Sequence, residues 1–263
     1  MITGSNRVVA IIPAHMASVR FPGKILFDIH GLPMIEHVRR RALMADSLAD
    51  VIVATCDLEI EKAIRNFGGK VIMTSDQHRN GSTRVAEAVA GIDCTHVVVL
   101  QGDEPLMLPG HIDALVESIG KYPGADAWNA TGMIEKAEEL DRHSFVKCAV
   151  TPGSRILHCF RRGPGYSDFE LQQQFIRKIL GIFAFRKDFL IELVKLQPSP
   201  IEKAEFIEQM RILENGFTLQ SVPVEPTLPS VNEPAEAGII LKYLEENGEQ
   251  QQLLQEVLAG CRN

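Results

Sequence analysis

Four short apolar runs in the amino-terminal part of the chain place the tightest limit on its fold. Each is rich in Val and Ile, and a segment with helical spacing of its apolar residues follows each run. The runs are residues 7–13, 51–55, 70–73 and 96–100. Because they are continuous rather than alternating, they indicate strands covered on both faces, which is typical of a mostly parallel sheet. We therefore predict an α/β fold whose ligand site lies beyond the carboxyl ends of these strands.

The pattern changes from residue 125 onward and indicates a second, smaller α+β region. Shorter strands are predicted at residues 146–150, 155–160, 180–185 and 217–224, with one helix over residues 198–215. A helix over residues 233–246 and a glutamine-rich helix over residues 249–258 follow. The predicted division is therefore a larger α/β domain, residues 1–130 plus 226–263, and a smaller region, residues 131–225.

The composition is that of an ordinary globular protein and argues against several classes. The 263 residues are 45% hydrophobic with a net charge of −7, which disfavours a general nucleic-acid binder because such proteins need a basic surface. No apolar stretch reaches the roughly 18 residues of a membrane helix, and no signal peptide is evident. Five cysteines without a C-x-x-C pair are typical of buried residues in a reducing compartment. We predict a cytoplasmic protein that binds neither nucleic acid nor membrane.

The loop after the first strand carries two cations and no acid. Residues 11–24 are I-I-P-A-H-M-A-S-V-R-F-P-G-K, and no Asp or Glu occurs between Arg7 and Phe27. Arg20 and Lys24 supply positive charge, and the small residues let the backbone approach a ligand closely. Such a loop suits a phosphate-rich ligand. The glycine pattern of dinucleotide oxidoreductases and the P-loop of kinases are both absent from the sequence, which argues against those two classes.

The fourth apolar run ends in an acidic turn, Q-G-D-E-P, at residues 101–105. Asp103 is well placed to hold Mg²⁺ against a ligand phosphate, because Mg²⁺ favours one or two carboxylates plus phosphate oxygens. The alternative is a solvated turn before the helix that starts near Pro109. The turn alone does not decide between the two, but the cationic loop favours the metal site. Asp57 and Ser82 are predicted as N-caps of the helices that follow them.

A series of motifs runs in order from residue 7 to residue 245. They include I-P-A-H-M-A-S-V-R-F-P-G-K, G-L-P-M-I-E-H-V, F-G-G-K-V-I-M-T-S, G-S-T-R-V-A-E, V-V-V-L-Q-G-D-E-P, V-K-C-A-V, L-G-I-F-A-F-R, P-S-P-I-E-K-A-E-F-I-E-Q-M-R-I-L-E-N-G and V-N-E-P-A-E. Together they resemble the sugar-acid cytidylyltransferases. The resemblance implies a Rossmann-like, nucleotide-diphospho-sugar transferase fold. It also implies that the larger domain binds nucleotide and that the smaller region serves sugar binding and homodimer formation.

The resemblance implies that the protein makes a CMP-sugar from CTP and a 2-keto-3-deoxy sugar acid, releasing pyrophosphate, for cell-surface polysaccharide synthesis. Catalysis would rest on Arg20, Lys24 and Asp103, with Mg²⁺ held by Asp103 and Asn232. The nucleotide would contact Ala14, His15, Arg20, Lys24, Ser75, Ser82 and Arg84. The sugar acid would contact Gln101, Arg161, Glu208 and Gln209. No side-chain nucleophile is required, because positioning and charge stabilisation dominate phosphoryl-type transfer.

The chain departs from the family's motifs at positions implied to contact metal and sugar. His15 stands where the family usually has arginine, and Asn232 where it has a second metal-binding aspartate. Ile179 replaces a histidine, and residues 158–161 are H-C-F-R where the family has Y-F-S-R. Two hypotheses follow. One is an active cytidylyltransferase for this or a related sugar acid. The other is a catalytically weakened homologue that acts as a nucleotide-binding or subunit-interaction protein.

Overall fold

The structure is a computed structural model that describes residues 6–18, 20–78, 80–163, 168–231 and 233–260. Its strands are β1 (Val8–Ala14), β2 (Asp28–Ile29), β3 (Leu32–Pro33), β4 (Asp50–Thr55), β5 (Lys70–Met73), β6 (His96–Leu100), β7 (Ala127–Met133), β8 (Lys147–Val150), β9 (Ile156–Phe160), β10 (Ile176–Arg186) and β11 (Leu219–Pro223). Its α-helices are α1 (Met34–Ala42), α2 (Leu58–Asn66), α3 (Gly81–Ala90), α4 (Pro109–Lys121), α5 (Glu138–Asp141), α6 (Phe169–Gln172), α7 (Lys187–Leu193), α8 (Pro200–Glu205), α9 (Gln209–Glu214), α10 (Pro234–Glu246) and α11 (Gly248–Ala259). The chain forms two compact units, Met1–Asp113 with Leu228–Asn263, and Ala114–Thr227.

The first unit contains a parallel sheet with the strand order β6-β1-β4-β5. Its central strand β1 is buried throughout Val8–Ile12 because helices cover it, which explains its unbroken apolar sequence. The chain runs outward from β1 to β5 and then returns to place β6 on the other side of β1. This reversal makes the carboxyl ends of β1 and β6 the natural place for a ligand. All four strands predicted for this unit are confirmed.

The second unit is built on β7, which pairs with β11 in parallel and with β10 antiparallel. An antiparallel β8–β9 pair extends from β10, and the buried Cys148 and Cys159 lie opposite each other in it. Burial raises the pKa of the Cys148 thiol to about 12, so this thiol is un-ionised at neutral pH. The predicted α+β character is confirmed, whereas the functional roles assigned to the two domains stay predictions.

Two of the sequence predictions for the second unit were incomplete. Strand β7 was missed, because its sequence A-W-N-A-T-G-M contains Asn and Gly. The predicted helix over residues 198–215 is wrong as a single helix, since α8 ends at Phe206, which adopts a left-handed conformation (φ 55°), before α9 begins. In the first unit, the tail predicted as a helix is confirmed as α11. None of the helices in the described ranges is long and apolar enough to cross a membrane.

The buried His37 on α1 is expected to make stability depend on pH. Its Nε2 donates to the carbonyl of Ile29 at 2.7 Å, and burial lowers the pKa of its ring from 6.5 to about 4. Between those values the unfolded chain takes up a proton that the folded protein does not, so stability falls as pH drops from 6.5 to about 4, by roughly 3 kcal/mol in total. Urea unfolding of His37→Gln should show a shallower loss over this range. The exposed His158→Gln variant should match the unmodified protein, and an equally steep loss in His37→Gln would contradict the assignment.

Candidate active site

The cationic loop begins where β1 ends at the buried Ala14. The Asp57 carboxylate accepts a hydrogen bond from the Met16 backbone N–H at 2.9 Å. Gly23, whose φ of 72° favours glycine, donates its N–H to the Met16 carbonyl and leads into a 3₁₀ turn, Lys24–Leu26. The N-cap prediction for Asp57 is therefore wrong for its side chain, which makes no cap hydrogen bond to α2 and holds the loop instead. His15 and Arg20 are exposed on this loop.

Lys24 lies at the centre of the first unit's site. Its ammonium donates to Asp103 Oδ2 at 2.5 Å and to the Val231 carbonyl at 2.8 Å, and the residue is only 9% exposed. The Val231 N–H in turn donates to the Asp103 carbonyl at 2.9 Å. Gly102 lets the chain pass close to Ile25, because a Cβ there would lie 3.0 Å from Ile25 Cδ1 and that side chain would have to give by a few tenths of an ångström. The fold thus brings the predicted phosphate lysine and the predicted metal carboxylate into direct contact.

The donor set fits a divalent cation completed by substrate phosphates. The Asp103 side chain is 23% exposed and offers hard carboxylate oxygens, which Mg²⁺ prefers. Within the described ranges no group of three or more His, Cys, Asp or Glu side chains forms a metal cage. Mg²⁺ commonly binds one or two carboxylates together with phosphate oxygens and water, so a single carboxylate is compatible with it. The predicted second ligand, Asn232, lies outside the described residues, directly after Val231.

Three of the residues predicted to contact the nucleotide, Ser75, Ser82 and Arg84, lie in the loop after β5 and at the start of α3. Arg84 is buried and donates through Nη1 to Thr74 Oγ1 at 2.6 Å and to the Ser75 carbonyl at 3.3 Å, so it holds the loop after β5. Ser82 is buried but is not the N-cap that was predicted. Asn80 is the N-cap, because its side chain accepts from the Thr83 N–H at 3.0 Å and the helix starts two residues earlier than expected.

Glu87 on α3 is a residue of the candidate site that sequence reasoning missed. Its carboxylate accepts from the exposed Ser75 N–H at 3.1 Å and from the His78 ring. The hydrogen bond from His78 is the main cause that lowers the pKa of the Glu87 carboxyl. Glu87 therefore fixes the loop that carries Ser75. The sequence contained a usable signal, since Glu87 lies one helical turn from Arg84 on the same face.

In the second unit, Arg161 is held by main-chain oxygens. Its guanidinium donates to the carbonyls of Glu205 at 2.7 Å, His143 at 3.0 Å and Phe206 at 3.3 Å. The buried Lys147 donates to the Arg161 carbonyl, and burial lowers the pKa of this lysine to about 8. Arg161 therefore anchors the turn between α8 and α9, and the sugar contact predicted for it stays a prediction.

Gln209 is positioned by Asn129, a second residue that was missed. Gln209 Nε2 donates to Asn129 Oδ1 at 3.0 Å, and Asn129 Nδ2 donates to the carbonyls of Leu180 at 2.9 Å and Ile182 at 3.4 Å. These carbonyls lie in the bulge of β10, where the pairing with β7 shifts register. Asn129 is fully buried in β7, and because that strand was not predicted, no sequence signal singled this residue out. Glu208 and Gln101, half-buried in their own units, keep their predicted roles as predictions.

Comparisons with known proteins identify the class. The model of a family described as "Cytidylyltransferase" matches residues 9–222. The chain belongs to the cytidylyltransferase family, which confirms the resemblance found in its motifs.

Within this family, the chain is similar to enzymes named for the sugar acid 3-deoxy-manno-octulosonate. The 3-deoxy-manno-octulosonate cytidylyltransferase of Geobacter metallireducens is 34% identical, covering 90% of this chain and 98% of the relative. The enzyme of that name from Escherichia coli is 36% identical, covering 88% and 93%. A solved structure of CMP:2-keto-3-deoxy-manno-octonic acid synthetase complexed with CTP superposes with a TM-score of 0.86 at 34% identity, covering 91% of this chain and 99% of that chain. The predicted fold class is thereby confirmed.

Proposed function

We propose that this protein transfers the cytidylyl group of CTP to 3-deoxy-manno-octulosonate with Mg²⁺ as the divalent cation. The anomeric hydroxyl oxygen of the sugar acid forms a bond to the α-phosphorus of CTP. The bond from that phosphorus to the pyrophosphate oxygen breaks, pyrophosphate leaves, and the hydroxyl proton passes to a base or to water. The products are the CMP-sugar and pyrophosphate.

The observation that carries the proposal is the contact between Lys24, Asp103 and Val231 at the carboxyl ends of β1 and β6. Lys24 and Arg20 bring two positive charges to the place where charge develops on the leaving pyrophosphate. Asp103, with Asn232 as the proposed second ligand, would hold Mg²⁺, which offsets phosphate charge when bound. Ala14, His15, Ser75, Ser82 and Arg84 would form the nucleotide pocket. Gln101, Arg161, Glu208 and Gln209 would contact the sugar acid.

Pyrophosphate release tests the proposal. We expect release from CTP only when both 3-deoxy-manno-octulosonate and Mg²⁺ are present, with little release from ATP, GTP or UTP. Related 2-keto-3-deoxy acids serve as the comparison panel, and faster release with one of them would change the sugar acid but keep the reaction class. No release with any acid at any Mg²⁺ or Mn²⁺ concentration would contradict catalysis.

The second candidate is a catalytically weakened homologue that binds nucleotide or another subunit. The observation that favours it is the replacement of an arginine by His15 and of an aspartate by Asn232 at two implied contacts. Calorimetry separates the two hypotheses, because CTP binding without turnover supports the weakened homologue. We also propose a homodimer formed through residues 131–225, as the resemblance implies, and sedimentation equilibrium measures it directly.

A further inference from the structure

The C-terminal helix α11 reaches the segment that follows Asp103. Gln250, near its start, is 1% exposed and donates through Nε2 to the Leu106 carbonyl at 2.8 Å. Asn247 caps the helix by accepting from the Gln250 N–H at 3.0 Å. At the other end, Arg40 of α1 donates to the Val257 carbonyl at 2.6 Å. Helix α11 is therefore held at both ends, and its buried Gln250 bonds the residue that directly follows the acidic turn.

A second donor from another helix reaches the same carbonyl. Arg41 of α1 is fully buried and donates through Nη1 to the carbonyls of Leu106 and Met107, each at 3.3 Å. Within the described ranges, its Nε and Nη2 groups have no hydrogen-bond partner. Burial lowers the pKa of Arg41 to about 10, so the guanidinium still carries its charge at neutral pH. Its hydrogen bonds in the described structure are therefore directed at this one segment.

A buried arginine bound only to carbonyls is a costly way to fill space. Among the described residues Arg41 makes no ion pair with a carboxylate, and only the more distant charge of Glu249 on α11 offsets part of its burial. Burying such a charge costs several kcal/mol, and a well-packed apolar side chain of similar volume is often as stabilising or more so. Packing alone thus does not account for Arg41. What arginine and glutamine supply here, and Met or Leu would not, is two N–H donors that converge on the Leu106 carbonyl.

The clamped segment is short and ends at the site. Asp103 is held at its own end by Lys24 and by the Val231 N–H. Leu106, three residues on, is fully buried in a cluster with Val231, Ile240 and Leu244. Because so few rotatable bonds separate the two ends, a displacement of Leu106 moves the Asp103 carboxylate. Functional side chains need placement to within about 0.5 Å. The hydrogen bonds of Gln250 and Arg41 to the Leu106 carbonyl therefore affect the position of the Asp103 carboxylate.

We propose that Gln250 and Arg41 are positioning residues for Asp103, which makes helix α11 part of the catalytic apparatus. Helix α11 lies beyond residues 9–222, the part matched by the family model. The inference rests on the proposed function in one respect, the role of Asp103 toward the divalent cation and the triphosphate.

The kinetic test compares Gln250→Met with Gln252→Met, an exposed glutamine two positions along the same helix. Methionine keeps the length of the side chain and removes the donor. We expect Gln250→Met to raise the half-saturating Mg²⁺ concentration about three- to tenfold, the range that loss of one hydrogen bond gives. The KM for the sugar acid, and kcat at saturating Mg²⁺, should each change by less than about twofold. Gln252→Met should match the unmodified protein.

Two measurements need no turnover, so they separate failure of this inference from failure of the proposed function. Hydrogen exchange of residues 101–108 should be faster in Gln250→Met than in Gln252→Met. Mn²⁺ binding in the presence of CTP, followed by electron paramagnetic resonance, should weaken by a similar factor. Arg41→Lys is the second variant and should show the same pattern, since lysine does not reproduce the guanidinium geometry. A lowered Tm with unchanged exchange and unchanged Mn²⁺ affinity would overturn the proposal, because a merely structural role has that outcome.

Discussion

Replacing Asp103 with asparagine is expected to lower kcat by about 100- to 1000-fold, the loss seen when one group that stabilises developing charge is removed. Asparagine keeps the size of the side chain and an oxygen that can accept from Lys24, so the fold and the contact with Val231 should survive. What disappears is the negative charge. The protein would then offer the cation only neutral oxygens, beside the ammonium of Lys24, which repels it.

The measurement is pyrophosphate release under saturating CTP and Mg²⁺, with Tm as the check on folding. Asp93→Asn is the matched control, because the Asp93 side chain is fully exposed and pairs only loosely with Arg7 at 3.9 Å. That variant should retain full activity. If Asp103→Asn turned over about as fast as the unmodified protein, Asp103 would not be a ligand of the catalytic cation, and the proposed metal site would be wrong.

The elements of the first unit could be predicted because each was encoded locally. A strand buried on both faces must be apolar, and β1, β4 and β6 are mostly buried and apolar. The edge strand β5 is the exception, since it begins with the exposed Lys70 and ends with the exposed Met73. The cationic loop and the acidic turn follow β1 and β6, and parallel strands bring their carboxyl ends to one edge. The order of strands therefore brings the two loops together, and the turn at Gly23 then places Lys24 against Asp103. The order itself, with β6 returning beside β1, was not written in any local pattern.

Two of the residues that sequence reasoning missed, Asn129 and Gln250, act through partners far away in the chain. Asn129 bonds Gln209, 80 positions later, and Gln250 bonds Leu106, 144 positions earlier. Neither distance is visible in a window of residues. Asp57 shows the same limit. An Asp before a helix is typical of an N-cap, yet the Asp57 carboxylate accepts a hydrogen bond from the Met16 N–H instead. The folded structure decides which of several possible partners such a side chain bonds. The sequence could therefore predict the possible hydrogen bonds but not which of them form.

Replacing Asn232 with aspartate is expected to lower the half-saturating Mg²⁺ concentration and to raise kcat/KM by about tenfold. The reason is the attachment of the preceding residue, since the Val231 N–H bonds the Asp103 carbonyl and the Val231 carbonyl accepts from Lys24. Position 232 therefore follows directly on a segment fastened to the metal carboxylate. A second negative charge there would strengthen the hold on a divalent cation and offset more of the Lys24 charge.

Titrating Mg²⁺ in the pyrophosphate assay gives the result, and Mn²⁺ binding with CTP checks it without turnover. The control is Asn66→Asp, the same change at an exposed residue that ends α2, which should leave both curves unchanged. Unchanged metal dependence in Asn232→Asp would mean that position 232 is not at the cation. The outcome also decides between the two functional hypotheses. Suppose that the unmodified protein binds CTP but turns it over slowly. A higher kcat/KM in Asn232→Asp then identifies the missing carboxylate as the cause of the weakened activity, because that single charge distinguishes the weakened protein from the active variant.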